Sequence, residues 1–277
     1  MHLTREHIDA YCLSLLADER SAGTISKYRH DLTAFARWLD GRAVTKESAT
    51  AWKACLLNRD YAPRTVNAML AAVNGFCRFA GLPIKLKFLS IQRQIFRDSA
   101  KELTKEEYDR LLAAARESGQ ERLALIMETL CATGIRVSEL RYITVEAALA
   151  GRATITLKGK IRTILLPAKL CRKLVKYARK QKIAAGEIFL TSSGRGISRR
   201  QVWYELKRLC KAAGVEPTKV FPHNLRHLFA TTFYRASRDI VRLADMLGHS
   251  SIDTTRIYLT VSGTEQQRQL DRLGLVS

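Results

Sequence analysis

Four times in its first 81 residues the chain repeats apolar positions at helical intervals. Between Thr4 and Ala17, Ile8, Tyr11, Cys12, Leu15 and Leu16 fall on one stripe, the i, i+3, i+4 spacing of an amphipathic helix. A second stripe, Ile25, Tyr28, Leu32, Phe35, Ala36 and Leu39, runs from about Thr24 to Leu39, with Lys27, Arg29, His30 and Arg37 opposite. Ala51, Trp52 and Cys55 mark a third helix from Thr45 to about Leu57. The fourth starts at Pro63, whose preset φ and missing N–H suit a first helical residue, and stops before Gly81, a favoured C-cap. Its apolar face is Val66, Met69, Leu70, Val73, Phe76 and Cys77. Residues 1–82 therefore read as a small all-α domain.

Helical patterning lapses from Pro83 to Lys101, where Lys85, Lys87, Arg93, Arg97 and Lys101 collect. Residues 83–102 read as a linker, either an ordinary solvated connector or a segment lying against DNA. A second domain, residues 103–277, opens on the capping box Thr104 to Glu107. Helices follow at Tyr108 to Ala115 and at Arg122 to Ala132, the latter stopped by Gly134, with a short one from Arg136 to Tyr142. The clear β signal is Ala153 to Leu157 and Ile161 to Leu166 flanking Lys158-Gly159-Lys160, a hairpin with a glycine-containing turn. Further helices are expected at Ala168 to Lys182, at Ser198 to Ala213 with a Ser198/Gln201 capping box, and after Pro222, Asp239, Ser251 and Thr264. The class is mainly α: a small helical domain, then a mixed, mostly helical domain with a small antiparallel β-sheet.

Charge sharpens this picture. Among 277 residues, 47 Lys and Arg stand against 26 Asp and Glu, a net +21. Such an excess suits a polyanion, because each neutralised phosphate releases condensed counterions. The six cysteines (Cys12, Cys55, Cys77, Cys131, Cys171, Cys210) are scattered without a C-x-x-C pair, as expected of reduced thiols rather than disulfides or a zinc cluster. The polar N-terminus does not read as a signal peptide, and no apolar run approaches the ~20 residues of a membrane span. A cytoplasmic protein without membrane contact is expected.

Several polar residues sit where structure alone does not demand them. Arg136 follows the Thr133-Gly134 helix stop, and Lys158 stands at the hairpin tip. His223 and Arg226, three apart, share a helix face. His249 follows Leu247-Gly248, and Tyr258 lies nine residues further on. Each alone fits a structural role: Arg136 could pair with Glu139, His249 could complement a helix C-terminus, and Tyr258 could be a half-buried aromatic. His223 and His227 are four apart, but Asn224 replaces the glutamate of an H-E-x-x-H zinc site and Arg226 stands between them, so no metal is expected.

Taken together, Arg136, Lys158, His223-x-x-Arg226, His249 and Tyr258 resemble the active site of the tyrosine recombinase, or phage integrase, family, with a Xer-like site-specific recombinase as the nearest type. The segment Ala132-Thr133-Gly134-Ile135-Arg136-Val137-Ser138-Glu139-Leu140 is similar to the family's first arginine motif. His223-Asn224-Leu225-Arg226-His227-Leu228-Phe229-Ala230 resembles its H-x-L-R-H box, and Leu247-Gly248-His249 through Tyr258 its nucleophile motif. In the first domain, Thr24-Ile25-Ser26-Lys27-Tyr28 and Pro63-Arg64-Thr65-Val66-Asn67 look like the family's core-binding domain, which makes Lys27, Arg64 and Asn67, with Lys160 in the hairpin, candidate DNA contacts. The family keeps its catalytic lysine at the turn where Lys158 and Lys160 both stand; Lys158, directly before Gly159, fits better.

The resemblance implies a chemistry that suits these residue types. A phosphodiester transition state concentrates charge on the non-bridging oxygens, so catalysis is mainly positioning and charge stabilisation. Arg136 and Arg226 would clamp the phosphate, since guanidiniums grip it bidentately and keep their charge, and His249 would donate a further hydrogen bond. Tyr258, a weak nucleophile as a neutral phenol, would attack phosphorus and form a 3′-phosphotyrosyl ester. His223 would accept or orient its proton, Lys158 would protonate the leaving 5′ oxygen, and Glu139 would support the arginine or histidine. The ester stores the energy of the broken bond. No ATP is therefore required, and the chain has neither a G-x-x-x-x-G-K-[ST] loop nor an acidic two-metal cluster.

No cofactor is expected. The partners implied are double-stranded DNA gripped by both domains, a homotetramer exchanging strands through a Holliday junction, and accessory proteins. The segment from Thr264, with Leu270, Leu273 and Leu275 on one stripe, would dock on a neighbouring protomer or on its own domain. Alternatives are a type IB topoisomerase, which shares the tyrosine and arginines, and a non-catalytic DNA-binding protein derived from an integrase.

Overall fold

The computed structural model describes residues 1–92, 99–157, 160–258, 267–268 and 271–273, with backbone only at Ser99, Leu157 and Lys160. The chain divides into two compact units, Met1–Arg93 and Gln94–Ser277.

The first unit holds helices α1 (Arg5–Ala17), α2 (Ala22–Leu39), α3 (Lys46–Asn58) and α4 (Pro63–Phe79). Thr4 and Thr45 cap α1 and α3 through reciprocal side-chain and backbone bonds. The four apolar stripes meet in a core containing Leu32, Phe35, Trp52, Val66, Leu70, Val73 and Phe76, where the Phe35 and Trp52 ring centres lie 4.7 Å apart.

Part of the expected linker belongs to this unit. Leu86 is buried, and Leu82, Ile84 and Leu89 pack against the same core. Two asparagines of α4 fasten the segment as a ladder partner would. Asn74 Nδ2 donates to the Leu86 carbonyl at 2.9 Å, and Leu86 N donates to Asn74 Oδ1 at 2.7 Å. Asn67 repeats the pattern with Leu89 at 2.9 and 2.8 Å. Lys46 and Lys53 reach the carbonyls of Lys85 and Lys87. The missing signal was hydrophobic period: an extended strap pairing with side-chain amides carries none.

The second unit contains α5 (Lys105–Glu117), α6 (Glu121–Thr133), a 3-10 turn (Val137–Tyr142), α7 (Val145–Ala150), β1 (Arg152–Leu157), β2 (Lys160–Leu165), α8 (Ala168–Lys180) and α9 (Arg199–Ala213). Two more 3-10 turns (Ser99–Lys101 before α5, Pro217–Lys219 after α9), α10 (Pro222–Ser237), α11 (Ile240–Leu247) and α12 (Ile252–Arg256) are its other described elements. Helix α6 is apolar on nearly every side: Leu123, Ala124, Leu125, Ile126, Met127 and Leu130 are all buried, as befits a central helix packed on several neighbours. Each such Leu or Ile contributes about 1.5–3 kcal/mol on burial. α7 was not foreseen, because six residues are too short to establish a period.

The hairpin is antiparallel and in register from Arg152 opposite Leu165 to Leu157 opposite Lys160. Lys158 and Gly159, between the strands, lie outside the described residues, as does most of the segment after Thr264. The box expected at α9 is half formed. Ser198 Oγ accepts from Gln201 N at 3.1 Å, but the Gln201 amide turns to Glu205 at 3.0 Å, a charged and therefore stronger acceptor.

The strap predicts a stability effect that owes nothing to apolar burial: Asn74→Ala leaves the Leu86 N–H and carbonyl unsatisfied at about 1–3 kcal/mol. Urea unfolding of the full chain should register it, and an unchanged midpoint would show that water replaces the amide without penalty.

Candidate active site

The second unit gathers one cleft from several helix ends. Its volume is about 750 Å³, and its lining includes Arg136, His223, Arg226, His249 and Tyr258. These five residues come from the stop after α6, from α10, from the stop after α11 and from the end of α12, so the fold brings together side chains that span more than a hundred positions of sequence.

Two glycines make the stops. Gly134 ends α6 with φ +63°, and Gly248 ends α11 with φ +64°, the left-handed region that favours glycine. Both are also pressed by neighbours. A Cβ on Gly134 would lie 2.3 Å from the Phe229 ring, and one on Gly248 would lie 2.3 Å from Nη1 of Arg162. The residues just beyond the stops, Arg136 and His249, therefore face the cleft at fixed heights.

Arg226 is buried, at 3 % exposure, although it is charged. Its Nη1 donates to the Gly134 carbonyl at 2.6 Å and its Nη2 to the Leu247 carbonyl at 2.7 Å. Those carbonyls close α6 and α11, so two negative helix ends converge on one guanidinium. Burial still pulls Arg226 down to about 10, assisted by Arg136 and opposed by its hydrogen bond with the Tyr258 side chain.

Glu139, 1 % exposed, lies behind the cleft wall. It accepts from the Arg136 backbone N–H at 2.7 Å and from Arg136 Nη1 at 3.2 Å. Arg162 Nη2 also donates to it, at 2.7 Å. The carboxylate thus holds Arg136 by main chain and side chain together while the Arg136 head remains 42 % exposed.

The two histidines are kept neutral. His249 is pushed down to about 4, first by burial and then by Arg226, Arg136 and Arg162. His223 is lowered by the protein packed around it and by Arg226, Arg136 and Arg199, although its ring still reaches solvent. Geometry assigns the His249 tautomer. Arg226 Nη2 lies 3.0 Å from Nε2 and can only donate, so Nε2 accepts, and Nδ1–H donates to Thr255 Oγ1 at 2.9 Å. In this state His249 is an acceptor toward Arg226, not yet the phosphate donor that the sequence suggests.

Tyr258 is 4 % exposed, its ring packed in a small satellite core with Phe229, Ala230, Leu243 and Leu247. The rings of His227 and His249 lie 5.2 and 6.1 Å from its own, centre to centre. The ring is buried where the sequence suggests a half-buried aromatic, and the residue lines the cleft.

Of the other candidates, Lys158 lies outside the described residues and Lys160 begins β2. Arg64 is exposed at the start of α4. Lys27 is paired at 2.5 Å with the buried Asp31, and the Asn67 amide is committed to the strap, which argues against a free amide for DNA at that position. Sequence reading passed over Thr255 and Arg162, and also Arg199, Arg200 and Trp203 on the cleft rim. The Arg199-Arg200 pair at a helix start, with an aromatic three or four residues on, was a usable signal. Among the described residues no group of three His, Cys, Asp or Glu side chains could hold a metal ion.

Comparison with known proteins places the chain in a family. The phage integrase family model matches residues 101–265, and the model of the phage integrase N-terminal SAM-like domain matches residues 8–81. Tyrosine recombinase XerA of Pyrococcus furiosus is 29% identical over 99% of this chain and 96% of its own length. Tyrosine recombinase XerC of Roseiflexus castenholzii is 33% identical, covering 91% and 88%. In fold, the chain is similar to the XerH site-specific recombinase bound to its difH substrate (TM-score 0.69, 18% identity, 97% of this chain and 84% of that one). It is similar also to a lambda integrase tetramer bound to a Holliday junction (TM-score 0.71, 20% identity, 91% and 76%).

A neutral His249 has a measurable consequence. Its folded pKa lies below its unfolded one, so between about pH 6.5 and 4 the unfolded chain binds a proton that the folded chain refuses, and stability falls as pH falls. His223 adds to the same slope. Urea midpoints at pH 7 and pH 5, the part of the window above most carboxylate titration, should differ for the wild type and differ less for His249→Gln. An identical difference in both proteins would contradict the neutral assignment.

Proposed function

The chain belongs to the phage integrase family and is a tyrosine-type site-specific recombinase, and from that premise we propose that it cuts and rejoins duplex DNA through a 3′-phosphotyrosyl bond at Tyr258. What supports the reading is the convergence of a tyrosine, two guanidiniums and two neutral histidines on one cleft.

In this reading a phosphate enters the cleft and takes the place of Nε2 as a partner of Arg226. Arg136 and Arg226 then grip the two non-bridging oxygens, whose charge grows in the transition state. Released from Arg226, His249 can exchange its proton to Nε2 and donate to the same phosphate. The incoming negative charge also offsets the arginine repulsion that, together with burial, keeps both rings deprotonated. His223, neutral and reaching solvent, takes the phenolic proton as the Tyr258 oxygen attacks phosphorus. The P–O5′ bond breaks, and the 5′ oxygen needs a proton as it leaves. Lys158 supplies it, with Lys160 as the alternative donor.

The tyrosyl ester keeps the energy of the broken bond, so a 5′ hydroxyl from a partner strand reverses the step, and the reading requires neither ATP nor a metal. The rim of Arg199, Arg200 and Trp203 is assigned to the DNA backbone flanking the scissile phosphate, with Lys27 and Arg64 contributing from the first domain. Because its structural likenesses include an integrase tetramer on a Holliday junction, we assign this chain a tetrameric synapse of two DNA sites. DNA integration, excision or inversion by a mobile element is the setting that fits best, in the cytoplasm, with accessory proteins choosing the direction.

Tyr258→Phe should abolish covalent attachment to a nicked suicide substrate while leaving DNA affinity within about threefold, under ~0.7 kcal/mol. Attachment by the Phe variant would remove Tyr258 from its role. With two sites on one plasmid, the wild type should yield Holliday junctions; relaxation of supercoils without any junction would favour a topoisomerase.

A further inference from the structure

One charged side chain is drawn into the wall of the cleft without lining it. Arg162 stands on β2, where alternation turns Ile164 and Leu166 inward, at 5 and 6 % exposure, and leaves Ile161 and Leu165 outside, at 74 and 77 %. The same alternation turns residue 162 inward, and a guanidinium occupies a position that the pattern reserves for an apolar group. Its side chain is 15 % exposed.

Three contacts hold it. Nη2 donates to Glu139 Oε2 at 2.7 Å, and Nη1 donates to the Met246 carbonyl in the last turn of α11 at 3.0 Å. The guanidinium also lies flush against the Gly248 backbone, so close that a Cβ there would clash with it. Arg162 therefore touches the carboxylate that holds Arg136 and the turn that presents His249.

The charge balance suggests why it is there. Glu139 is a buried carboxylate that cannot stay unpaired. Arg136 satisfies it at the backbone N–H and, more loosely, at 3.2 Å from Nη1. With Arg162 absent, the whole counter-charge of Glu139 would have to come from Arg136, whose partly exposed side chain would turn inward and be neutralised. We propose that Arg162 is a positioning residue that occupies Glu139 so that the Arg136 guanidinium stays turned to the cleft and available to an anion. This rests on the reading of the cleft as the phosphate site. Thermodynamically it makes Glu139 a shared anchor in place of a private partner for Arg136, and it ties the hairpin to both cleft-forming turns.

The test is single-turnover covalent attachment to a nicked suicide substrate, with thermal unfolding measured in parallel on the full chain. Arg162→Met should slow attachment by about 30-fold, and adding Glu139→Gln, which removes the charge that captures Arg136, should restore about tenfold of that loss. Arg162→Lys, which keeps a positive charge within reach of Glu139, should stay within about fivefold of wild type. A merely structural Arg162 also lets Glu139→Gln relieve the stranded buried charge, so rates are compared well below each variant's unfolding midpoint, where a merely structural role predicts no slowing by Arg162→Met. A double variant as slow as Arg162→Met overturns the proposal, as does an Arg162→Met that attaches at the wild-type rate. Should Arg162→Met fail to fold, Arg162→Lys decides: a rate near wild type supports the proposal, and a folded but inert or an unfolded Lys variant overturns it. A wild type that forms no Tyr258 adduct removes the reading of the cleft itself, a result distinct from all of these.

Discussion

Like charges crowded together set the character of this cleft. Arg136 and Arg162 share one buried carboxylate, Glu139, Arg226 lies beside them on backbone carbonyls, and two histidines are held neutral by burial and by the same positive field. Such a cluster would not survive in an apolar interior. It is stabilised by backbone carbonyls at the ends of α6 and α11, which present partial negative charge without carrying a full one. Carboxylates in those places would have neutralised the arginines. Carbonyls satisfy their hydrogen bonds and leave a surplus of positive charge for an incoming anion.

The rest of the second unit can be understood as the means of bringing those helix ends together. α6 is buried on nearly all sides, so its C-terminal stop is fixed from several directions, and Gly134 is locked against Phe229 of α10. α10 carries His223 toward the cleft and Phe229 toward the satellite core within two turns. The same satellite core grips the Tyr258 ring. The Tyr258 phenol is thus oriented by apolar packing and the Arg226 guanidinium by backbone dipoles, two independent supports for one cleft.

Much of this was legible from residue order. Four stripes of apolar residues marked four helices, and alternating β-branched residues marked the hairpin, because in each case the buried face is wide enough to leave a period. Arg136, His223, Arg226, His249 and Tyr258 could be singled out only jointly, by an order that resembles the tyrosine recombinase site, since each alone fits a structural role. What escaped had other physical causes. The strap beyond Gly81 is held by the amides of Asn67 and Asn74, and hydrogen bonding of that kind leaves no hydrophobic signature. Thr255 is a buried hydroxyl whose use depends on where His249 lands. Arg162 did leave a trace, a charge at an inward position of an alternating strand, but its partners Glu139 and Met246 are 23 and 84 residues away in sequence, and only the fold unites them.

The most direct measurement is chemical. Covalent complexes trapped on a nicked DNA substrate can be digested with protease and nuclease, and the nucleotide-bearing peptide sequenced by mass spectrometry. The modified residue should be Tyr258, joined through a 3′ phosphate. An adduct on any other residue, or a bond to a 5′ phosphate, would contradict the assignment of this cleft.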